Sequence, residues 1–399
     1  MFNFFSIFKR VFYLFYRIQD IENRLSEVED FIDRDNYFKD KEFNINSDNK
    51  NQLKGIWKRI DNFKNYKRIR TMCSHQGILY CGCDDTPDKG AIQKYVKGKW
   101  INISIPEVVD EVVNIAAHAG NIFVCTSSKI NGASVWIVNK DKLVKKGNWK
   151  NYYAAMGICS FKDKLYVSLV PYSKNEVGGP ILSYDGAEWT VILDDHPYFY
   201  FYSLTQHNDS LYATSISYGF FGGHLLSIDI SNNSYNISVG YNIKNNKNKI
   251  SHLLRTFSHS TGLYVVGNLV LPNTRNLYSI FKFNNNELQR APIIKNNYRN
   301  FYSYNAILFY KNKLIIGTGG RPAGNARVLV LDENDWYLIG GDGVFNSWSS
   351  KIYKKLNYKM QAKSAAEYVY SLCEHNGKII AGFGASKGNG QVWEFESKD

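Results

Sequence analysis

A strand–turn–strand pattern recurs seven times between residues 51 and 399, and it constrains the fold more than any other feature of the chain. In each repeat, hydrophobic residues of a second strand follow a short polar turn. These second strands contain Leu79, Ile122, Leu165, Leu211, Leu263, Leu314 and Ile379. The first three residues are spaced 43 residues apart, and 65 residues separate the last two. A repeat of this length with several short strands is typical of β-propellers.

The remainder of each repeat predicts a sheet of four strands. A third strand follows a polar or glycine-rich loop, as at 134–137 and 391–394. In several repeats a fourth strand contains a tryptophan: Trp100, Trp149, Trp189 and Trp336. One such sheet cannot bury both of its faces, so the repeats have to stack on one another. We therefore predict an all-β fold, a seven-bladed β-propeller of four-stranded antiparallel blades.

The last repeat lacks its fourth strand. It ends at its third strand, residues 391–396, shortly before the chain ends. Residues 53–60, LKGIWKRI, resemble a fourth strand and precede the first repeat. We predict that this segment pairs with 391–396 and closes a propeller domain that spans residues 51–399.

The final hundred residues resemble a known repeat family. They contain the runs DWYLIGGDG at 335–343, SLCEHNGK at 371–378 and QVWE at 391–394. These runs are similar to a bacterial kelch-like propeller repeat, although most second strands lack the paired glycines of kelch repeats. The resemblance implies a propeller. It implies no reaction, because such rings serve as scaffolds, lectins and enzymes.

A heptad pattern at residues 1–34 predicts an α-helical coiled coil. Its core positions are Phe4, Ile7, Val11, Leu14, Ile18, Ile21, Leu25, Val28 and Ile32. Three of the four d positions are β-branched, which favours a parallel trimer or tetramer over a dimer. The polar residues 35–50 are predicted to be a linker.

Further aromatic residues lie outside the apolar seam of this helix, among them Phe5, Phe8 and Phe12, together with Lys9 and Arg10. Aromatic and basic residues mixed in this way suit the headgroup layer of an anionic membrane. A thicker helical bundle or a partner protein would also cover them.

Composition indicates the compartment and the class of partner. The chain has 399 residues, a formal net charge of +13 and a pI of about 9.2, which favours an anionic partner, although a lysine-rich soluble surface accounts for the charge equally well. No secretory signal and no long apolar run are visible. The six cysteines have no metal-binding spacing. We expect reduced thiols and a cytoplasmic location, peripheral at the inner membrane if the helix contacts lipid.

Most histidines occupy one repeat position, at the turn between the first and second strands. They are His75, His118, His207, His259 and His375, and Phe161 and Tyr310 fill this position in the other two repeats. A position that accepts His, Phe or Tyr is a turn or packing position. No catalytic or nucleotide-binding motif is present, and we expect neither a metal nor a cofactor.

Long loops on one face are the expected site of function, because loops on a rigid scaffold usually bind ligands. The candidate ligand-binding residues are Tyr198, Tyr200, Tyr218, Arg275, Arg299, Tyr302, Arg321 and Trp348. Aromatic rings stack on sugars, and arginine pairs with carboxylate or phosphate. The candidate catalytic residues, should the chain be an enzyme, are His196, Asp194 and Asp195.

Three hypotheses follow. The first is a non-enzymatic oligomeric scaffold that recognises a glycan or a protein, for example in bacterial surface-polysaccharide assembly. The second is a carbohydrate-active lyase or hydrolase with its site on the loop-rich face. The third is a trimeric adhesin. A nucleic-acid partner is not expected, because no recognised nucleic-acid-binding module is present.

Overall fold

Strands are the regular elements of the part of the chain that the computed structural model describes, and no helix occurs in that part. The described residues are 53–61, 63, 66–85, 89–172, 178–194, 199–217, 223–239, 249–270, 277–284, 287–290, 303–319, 326–332, 335–341, 366–384 and 390–398. They all belong to one compact unit. The predicted coiled coil at 1–34 and the linker at 35–50 lie outside the described residues.

The strands alternate with short turns and longer connections. The first thirteen are β1 Gly55–Arg59, β2 Arg68–His75, β3 Ile78–Asp85, β4 Lys89–Val96, β5 Lys99–Ile103, β6 Glu111–His118, β7 Asn121–Ser127, β8 Ala133–Asn139, β9 Lys142–Trp149, β10 Tyr152–Phe161, β11 Lys164–Pro171, β12 Ile181–Tyr184 and β13 Trp189–Leu193. The others are β14 Phe199–His207, β15 Ser210–Ser217, β16 His224–Asp229, β17 Ser234–Val239, β18 Lys249–His259, β19 Gly262–Val270, β20 Leu277–Asn284, β21 Glu287–Arg290, β22 Ser303–Tyr310, β23 Lys313–Gly319, β24 Arg327–Asp332, β25 Asp335–Gly340, β26 Tyr368–His375, β27 Lys378–Gly384 and β28 Gln391–Ser397.

Within the described residues these strands pair antiparallel in consecutive groups of four, which we number units 1 to 7. Units 1 to 6 are β2–β5, β6–β9, β10–β13, β14–β17, β18–β21 and β22–β25. Unit 7 consists of β26–β28 with β1 as its fourth strand. We call the first strand of each unit its inner strand.

The fourth strand of unit 7 comes from the beginning of the described chain. In the β1–β28 pair, Gly55 lies opposite Ser397 and Arg59 lies opposite Trp393. The Trp57 ring packs on Phe395, with 5.1 Å between the ring centroids. The two distant parts of the chain are therefore joined by a strand pair and by aromatic packing.

Neighbouring units bury each other's faces. Tyr80 and Ile92 of unit 1 share one hydrophobic cluster with Val124 and Trp136 of unit 2. The second strands are covered on both sides, so in β7 only the first residue is exposed. Continuous burial of this kind is expected of a strand between two packed sheets.

Two-residue turns connect the inner strand of several units to the second strand. In unit 1 the turn residues Gln76 and Gly77 have φ angles of 49° and 72°, and in unit 7 Asn376 and Gly377 have 51° and 72°. Positive φ at both central residues identifies the type I′ turn, whose twist matches that of the flanking strands. The opposite ends of the inner strands carry the longer connections, so we call that end the loop-rich face.

The six cysteines are free thiols. Burial raises the pKa of Cys73 and Cys159 to about 11 and that of Cys373 to about 12. The pKa values of the three fully buried thiols are raised as well, and these residues are Cys81, Cys83 and Cys125. These side chains therefore act as small hydrophobic residues rather than as nucleophiles.

Candidate functional site

The inner strands of all seven units line one cavity of about 230 Å³. β2 contributes Arg70, β6 contributes Asn114, and β14 and β18 contribute Tyr202 and Arg255. The cavity is smaller than the pockets of roughly 300–1,000 Å³ that hold drug-sized ligands. Its size suits one small group or one sugar ring.

A shift of strand register occurs at the same place in every inner strand and shapes the cavity. The shifts lie between Ile69/Thr71, Val112/Asn114, Ala155/Ile158, Phe201/Ser203, Leu253/Arg255, Tyr304/Ala306 and Val369/Ser371. The residues skipped by these shifts include Arg70, Tyr202 and Tyr370. A bulge re-aims the side chain of its extra residue and is common beside functional sites.

The residues just after the shifts are mostly small and connect neighbouring units. Ser371 Oγ donates to the Ile69 carbonyl oxygen at 3.0 Å, and Thr71 Oγ1 donates to Asn114 Oδ1 at 3.3 Å. Asn114 Nδ2 in turn donates to the Met156 carbonyl oxygen at 3.3 Å. These bonds link units 7, 1, 2 and 3 in succession, and they satisfy polar groups next to the cavity.

Arg255 occupies the equivalent position in β18, and it is half-buried. Burial lowers the pKa of its guanidinium, Arg70 lowers it further, and Tyr202 opposes this change. In the described part of the chain no carboxylate lies within 4 Å of Arg255. The cavity thus contains a desolvated cation that no described residue neutralises.

An ion-pair network lies next to the cavity, at the loop-rich ends of β2, β3 and β6. Arg68 Nη2 is 2.8 Å from Asp84 Oδ2 and 3.1 Å from Glu111 Oε1, and Arg70 Nη1 is 3.2 Å from Glu111 Oε2. Burial raises the pKa of Asp84, which is 2% exposed, and Arg68 and Arg70 act against this rise. Glu111 therefore holds two guanidinium groups in fixed positions.

Aromatic rings extend from this network to the protein surface. The Tyr153 and Tyr172 rings are 6.0 Å apart, and Tyr172 is 40% exposed. The Tyr172 hydroxyl donates to the Ser128 carbonyl oxygen at 3.1 Å. Burial raises the pKa of Tyr153, as does the nearby Glu111. Arg70, Glu111, Tyr153 and Tyr172 thus lie in succession between the cavity and the surface, and we call this set the tyrosine strip.

The repeat-position histidines lie at the other end of the inner strands. The Nδ1 atoms of three of them are hydrogen-bonded to a serine Oγ in the next unit, in the pairs His118–Ser160, His207–Ser258 and His375–Ser74, at 2.8, 3.0 and 2.9 Å. Burial lowers the pKa of all three imidazoles. In the two units that lack histidine there, Tyr310 donates to the Gly377 carbonyl oxygen, and Phe161 is buried. This position joins units, as expected of a packing position.

Two of the residues that we predicted from the sequence to form the site lie in the described part of the chain. Asp194 is exposed just after β13, and Tyr200 packs against Val113 and Val170. The other predicted site residues lie outside the described residues: His196, Asp195, Tyr198, Tyr218, Arg275, Arg299, Tyr302, Arg321 and Trp348.

Sequence reasoning missed the residues of the inner strands, namely Arg68, Arg70, Tyr202 and Arg255. One signal could have found Arg255. The residues four positions before the repeat histidine or its equivalent are Thr71, Asn114, Gly157, Ser203, Arg255, Ala306 and Ser371. Arg255 is the one long side chain in this set.

Metal and membrane features are absent from the described residues. No group of three or more His, Cys, Asp or Glu side chains there could hold a metal ion. Nor do those residues include a helix with the length and hydrophobicity to cross a membrane.

Comparison with known proteins identifies the fold. No protein family matches the chain, and no curated protein matches it. A solved oligogalacturonate lyase in complex with manganese aligns with 88% of this chain and 95% of its own, at 8% identity and a TM-score of 0.57. The polysaccharide lyase Uly1 aligns with 87% of this chain and 100% of its own, at 9% identity and a TM-score of 0.53.

The extracellular domain assigned to a hybrid two-component system of B. thetaiotaomicron aligns with 86% of this chain at 13% identity and a TM-score of 0.49, and the match spans 42% of that longer chain. At such identities the two lyases show the fold alone. The described part of the chain is therefore all-β and propeller-like, and its neighbours in fold include carbohydrate-active lyases.

Proposed function

We propose that the chain is a seven-bladed β-propeller that binds a glycan at the loop-rich end of its central cavity. In this proposal units 1 to 7 are the blades, and β1 closes the ring as the fourth strand of the last blade. The protein acts as a binding module rather than as an enzyme.

The tyrosine strip is the observation that carries this proposal. Tyr172 is 40% exposed, and the centroids of the Tyr153 and Tyr172 rings lie 6.0 Å apart. Sugar rings have apolar faces that stack on aromatic side chains, while their hydroxyl groups bond to charged residues. Arg70 and Glu111, 3.2 Å apart, supply such charged groups where the strip reaches the cavity.

The fold neighbours support a carbohydrate ligand. Two of them carry the names of lyases, one for oligogalacturonate and one for a polysaccharide. A shared fold does not transfer an activity, because one fold hosts many functions. The support comes from the combination of this fold with exposed aromatic rings and paired charges near its axis.

A lyase is the second candidate, favoured by Tyr202 and Arg255 in the same cavity. In β-elimination at a uronate, a base removes the C5 proton, the C4–O4 bond breaks, and the departing oxygen takes up a proton. The product has a C4–C5 double bond. A phenol can transfer a proton, and a guanidinium can neutralise the uronate carboxylate. A hydrolase fits less well, since Asp84 and Glu111 both pair with Arg68 instead of facing an open cleft.

The chain's context is also proposed, and it rests on the sequence. Residues 1–34 assemble a parallel trimer or tetramer. Several propellers therefore bind one glycan or protein partner together, and this multivalency raises the apparent affinity. This arrangement suits a cytoplasmic protein at an anionic inner-membrane surface during surface-polysaccharide assembly. A trimeric adhesin is the alternative. Removal of residues 1–34 should reduce the mass measured by light scattering to that of a monomer, and an unchanged mass would contradict self-association through this segment.

A glycan-array screen of the full chain tests the proposed function. We expect a restricted set of glycans to bind, and Tyr172→Ala to weaken binding about tenfold, the loss expected for one aromatic contact. Val191→Ala is the matched control, because Val191 is 47% exposed on an outer strand. An array without any bound glycan, or equal binding by Tyr172→Ala and the wild type, would contradict the proposal.

Incubation with the bound glycan separates the two candidates. A pure binding module leaves the glycan unchanged. A lyase generates the ultraviolet absorbance of an unsaturated uronate, and this signal should disappear in Tyr202→Phe.

A further inference from the structure

Arg255 stands where the other six inner strands have short side chains. In the equivalent positions of the other inner strands the chain has Thr71, Asn114, Gly157, Ser203, Ala306 and Ser371. The crowding is clearest at Gly157, where an added Cβ would lie 2.8 Å from Ser168 Oγ and 3.0 Å from the Leu204 nitrogen. A long charged side chain at this position is therefore a departure from the packing that the other six units share.

The surroundings of Arg255 make its charge costly to the folded protein. Its side chain is half-buried, burial lowers the pKa of its guanidinium, and no described carboxylate lies within 4 Å of it. Arg70, another cation, acts on it through the cavity. An uncompensated buried charge destabilises a protein unless a partner neutralises it. Such a residue is expected where a ligand supplies the missing charge.

The balance of charges around the cavity points to an anion. Arg68, Arg70 and Arg255 carry three positive charges, whereas Asp84 and Glu111 carry two negative charges, and both of these carboxylates contact Arg68. Among these described residues one positive charge remains, and it belongs to Arg255. Guanidinium groups bind carboxylate and phosphate through paired hydrogen bonds, so these are the anions that fit.

The remaining lining of the cavity sets the size and polarity of the ligand. Met72, Phe257 and Leu372 line it toward the end of the inner strands that is remote from the loops. A volume of about 230 Å³ leaves room for one ring. The cavity therefore combines a cation, the Tyr202 phenol and an apolar floor, which together match one sugar ring that carries an acidic group.

We infer that Arg255, with Arg70 and Tyr202 beside it, binds the carboxylate or phosphate group of a single acidic sugar residue in the central cavity. This inference rests on the proposed glycan-binding function and names the class of glycan. Arg255 determines specificity: it distinguishes acidic sugars from neutral sugars, whereas the Tyr153 and Tyr172 rings contact sugars of either kind.

Three sugars that differ only at C6 provide the test: glucuronate, glucose 6-phosphate and glucose. Each is titrated calorimetrically into the full chain, and inorganic phosphate is titrated as a free anion. We expect at least one acidic sugar to bind about tenfold or more tightly than glucose, as a charge-assisted bidentate contact implies. A stronger response to glucuronate identifies a carboxylate ligand, and a stronger response to glucose 6-phosphate identifies a phosphate ligand.

Arg255→Ser is the decisive variant. It introduces the residue that Ser203 and Ser371 already provide at equivalent positions, so we expect it to fold with an unchanged or higher melting temperature. It should remove the preference for the acidic sugar, and Arg255→Lys should retain part of that preference. Lys162→Gln, an exposed change in the turn after β10 at the opposite face, is the control and should leave binding unchanged.

The outcomes distinguish this inference from the proposed function. Equal binding of acidic and neutral sugars, or full affinity of Arg255→Ser for the acidic sugar, would overturn the inference while leaving glycan binding intact. Binding of inorganic phosphate that Arg255→Ser abolishes, without binding of any sugar, would support the anion site and overturn the glycan function. Absence of all binding would overturn both.

Discussion

The Trp57 indole nitrogen donates a hydrogen bond to the Ile339 carbonyl oxygen at 2.7 Å, across a sequence separation of 282 residues. This bond joins β1, the fourth strand of unit 7, to β25 of unit 6. On the other side, the Trp100 indole nitrogen of unit 1 donates to the Ile60 carbonyl oxygen at 2.9 Å. The segment around β1 therefore holds three units together, and the stability of the whole sheet assembly should depend on it.

Substitution of Trp57 tests this dependence. Trp57→Phe keeps a ring against Phe395 but loses the bond to Ile339, so we expect a loss of about 1 kcal/mol in the free energy of unfolding. Trp57→Ala loses the packing too, and we expect about 2–3 kcal/mol because the side chain is only half-buried. Urea denaturation provides both values. If neither variant differs from the wild type, β1 contributes little to stability.

The Asp61 carboxylate next to β1 makes stability depend on pH. It accepts hydrogen bonds from the backbone nitrogens of Phe63 and Val392, yet burial dominates and raises its pKa from 3.8 to about 6. The folded state therefore binds a proton more tightly than the unfolded state between pH 4 and 6. The stability contributed by Asp61 is complete below pH 4 and is lost as the pH rises through 6.

Asp61→Asn isolates this contribution, because its side chain does not titrate. We expect the stability of the wild type relative to this variant to fall by up to about 3 kcal/mol between pH 4 and pH 7, the limit set by the pKa difference. Denaturation curves across this pH range measure the trend. A relative stability that stays constant or rises with pH would show that burial does not dominate at Asp61.

The histidines that join neighbouring units should give stability the opposite dependence on pH. His118 is hydrogen-bonded to Ser160 at 2.8 Å, and burial lowers its pKa from 6.5. The stability that His118 contributes is complete above pH 6.5 and is lost as the pH falls below that value. A double-mutant cycle of His118→Phe and Ser160→Ala should give a coupling of about 1 kcal/mol at pH 7.5 and less at pH 5.5. A coupling that does not change with pH would mean that His118 stays neutral throughout.

Arg68 and Asp84 form the most buried ion pair of the network. Arg68→Met leaves the Asp84 carboxylate, 2% exposed, without its nearest cation, and we expect a loss of about 3 kcal/mol in unfolding free energy. Adding Asp84→Asn removes the unpaired negative charge of the carboxylate and should recover part of the lost free energy of unfolding. If the two substitutions are simply additive, the pair is not coupled.

Sequence reasoning predicted the strands well because their signal is local. Apolar second strands, the short polar turns before them, such as that at Gln76–Gly77, and the tryptophans of the fourth strands are all visible as periodic patterns. The segment at 53–60 was predicted to lie beside 391–396, and the structure has β1 beside β28. The pairing could be predicted because the last repeat has three strands in sequence, and residues 53–60 are a strand that belongs to no other repeat.

The site could not be predicted in the same way. The register shift after Leu253, and the equivalent shifts in the other inner strands, determine which residue faces the cavity. The local sequence does not predict where such a bulge occurs. The sequence therefore directed attention to loop residues such as Tyr198 and Arg321. The sequence distinguishes Arg255 only by its position four residues before the turn histidine, where the other six repeats have short side chains.

The most direct test of the account is a crystal structure of the full chain with the acidic oligosaccharide that binds best. We predict that its acidic group lies between Arg255 and Arg70, within hydrogen-bond distance of both, and that a neighbouring sugar ring stacks on Tyr153 or Tyr172. A ligand bound elsewhere, with the cavity containing only water, would contradict the account.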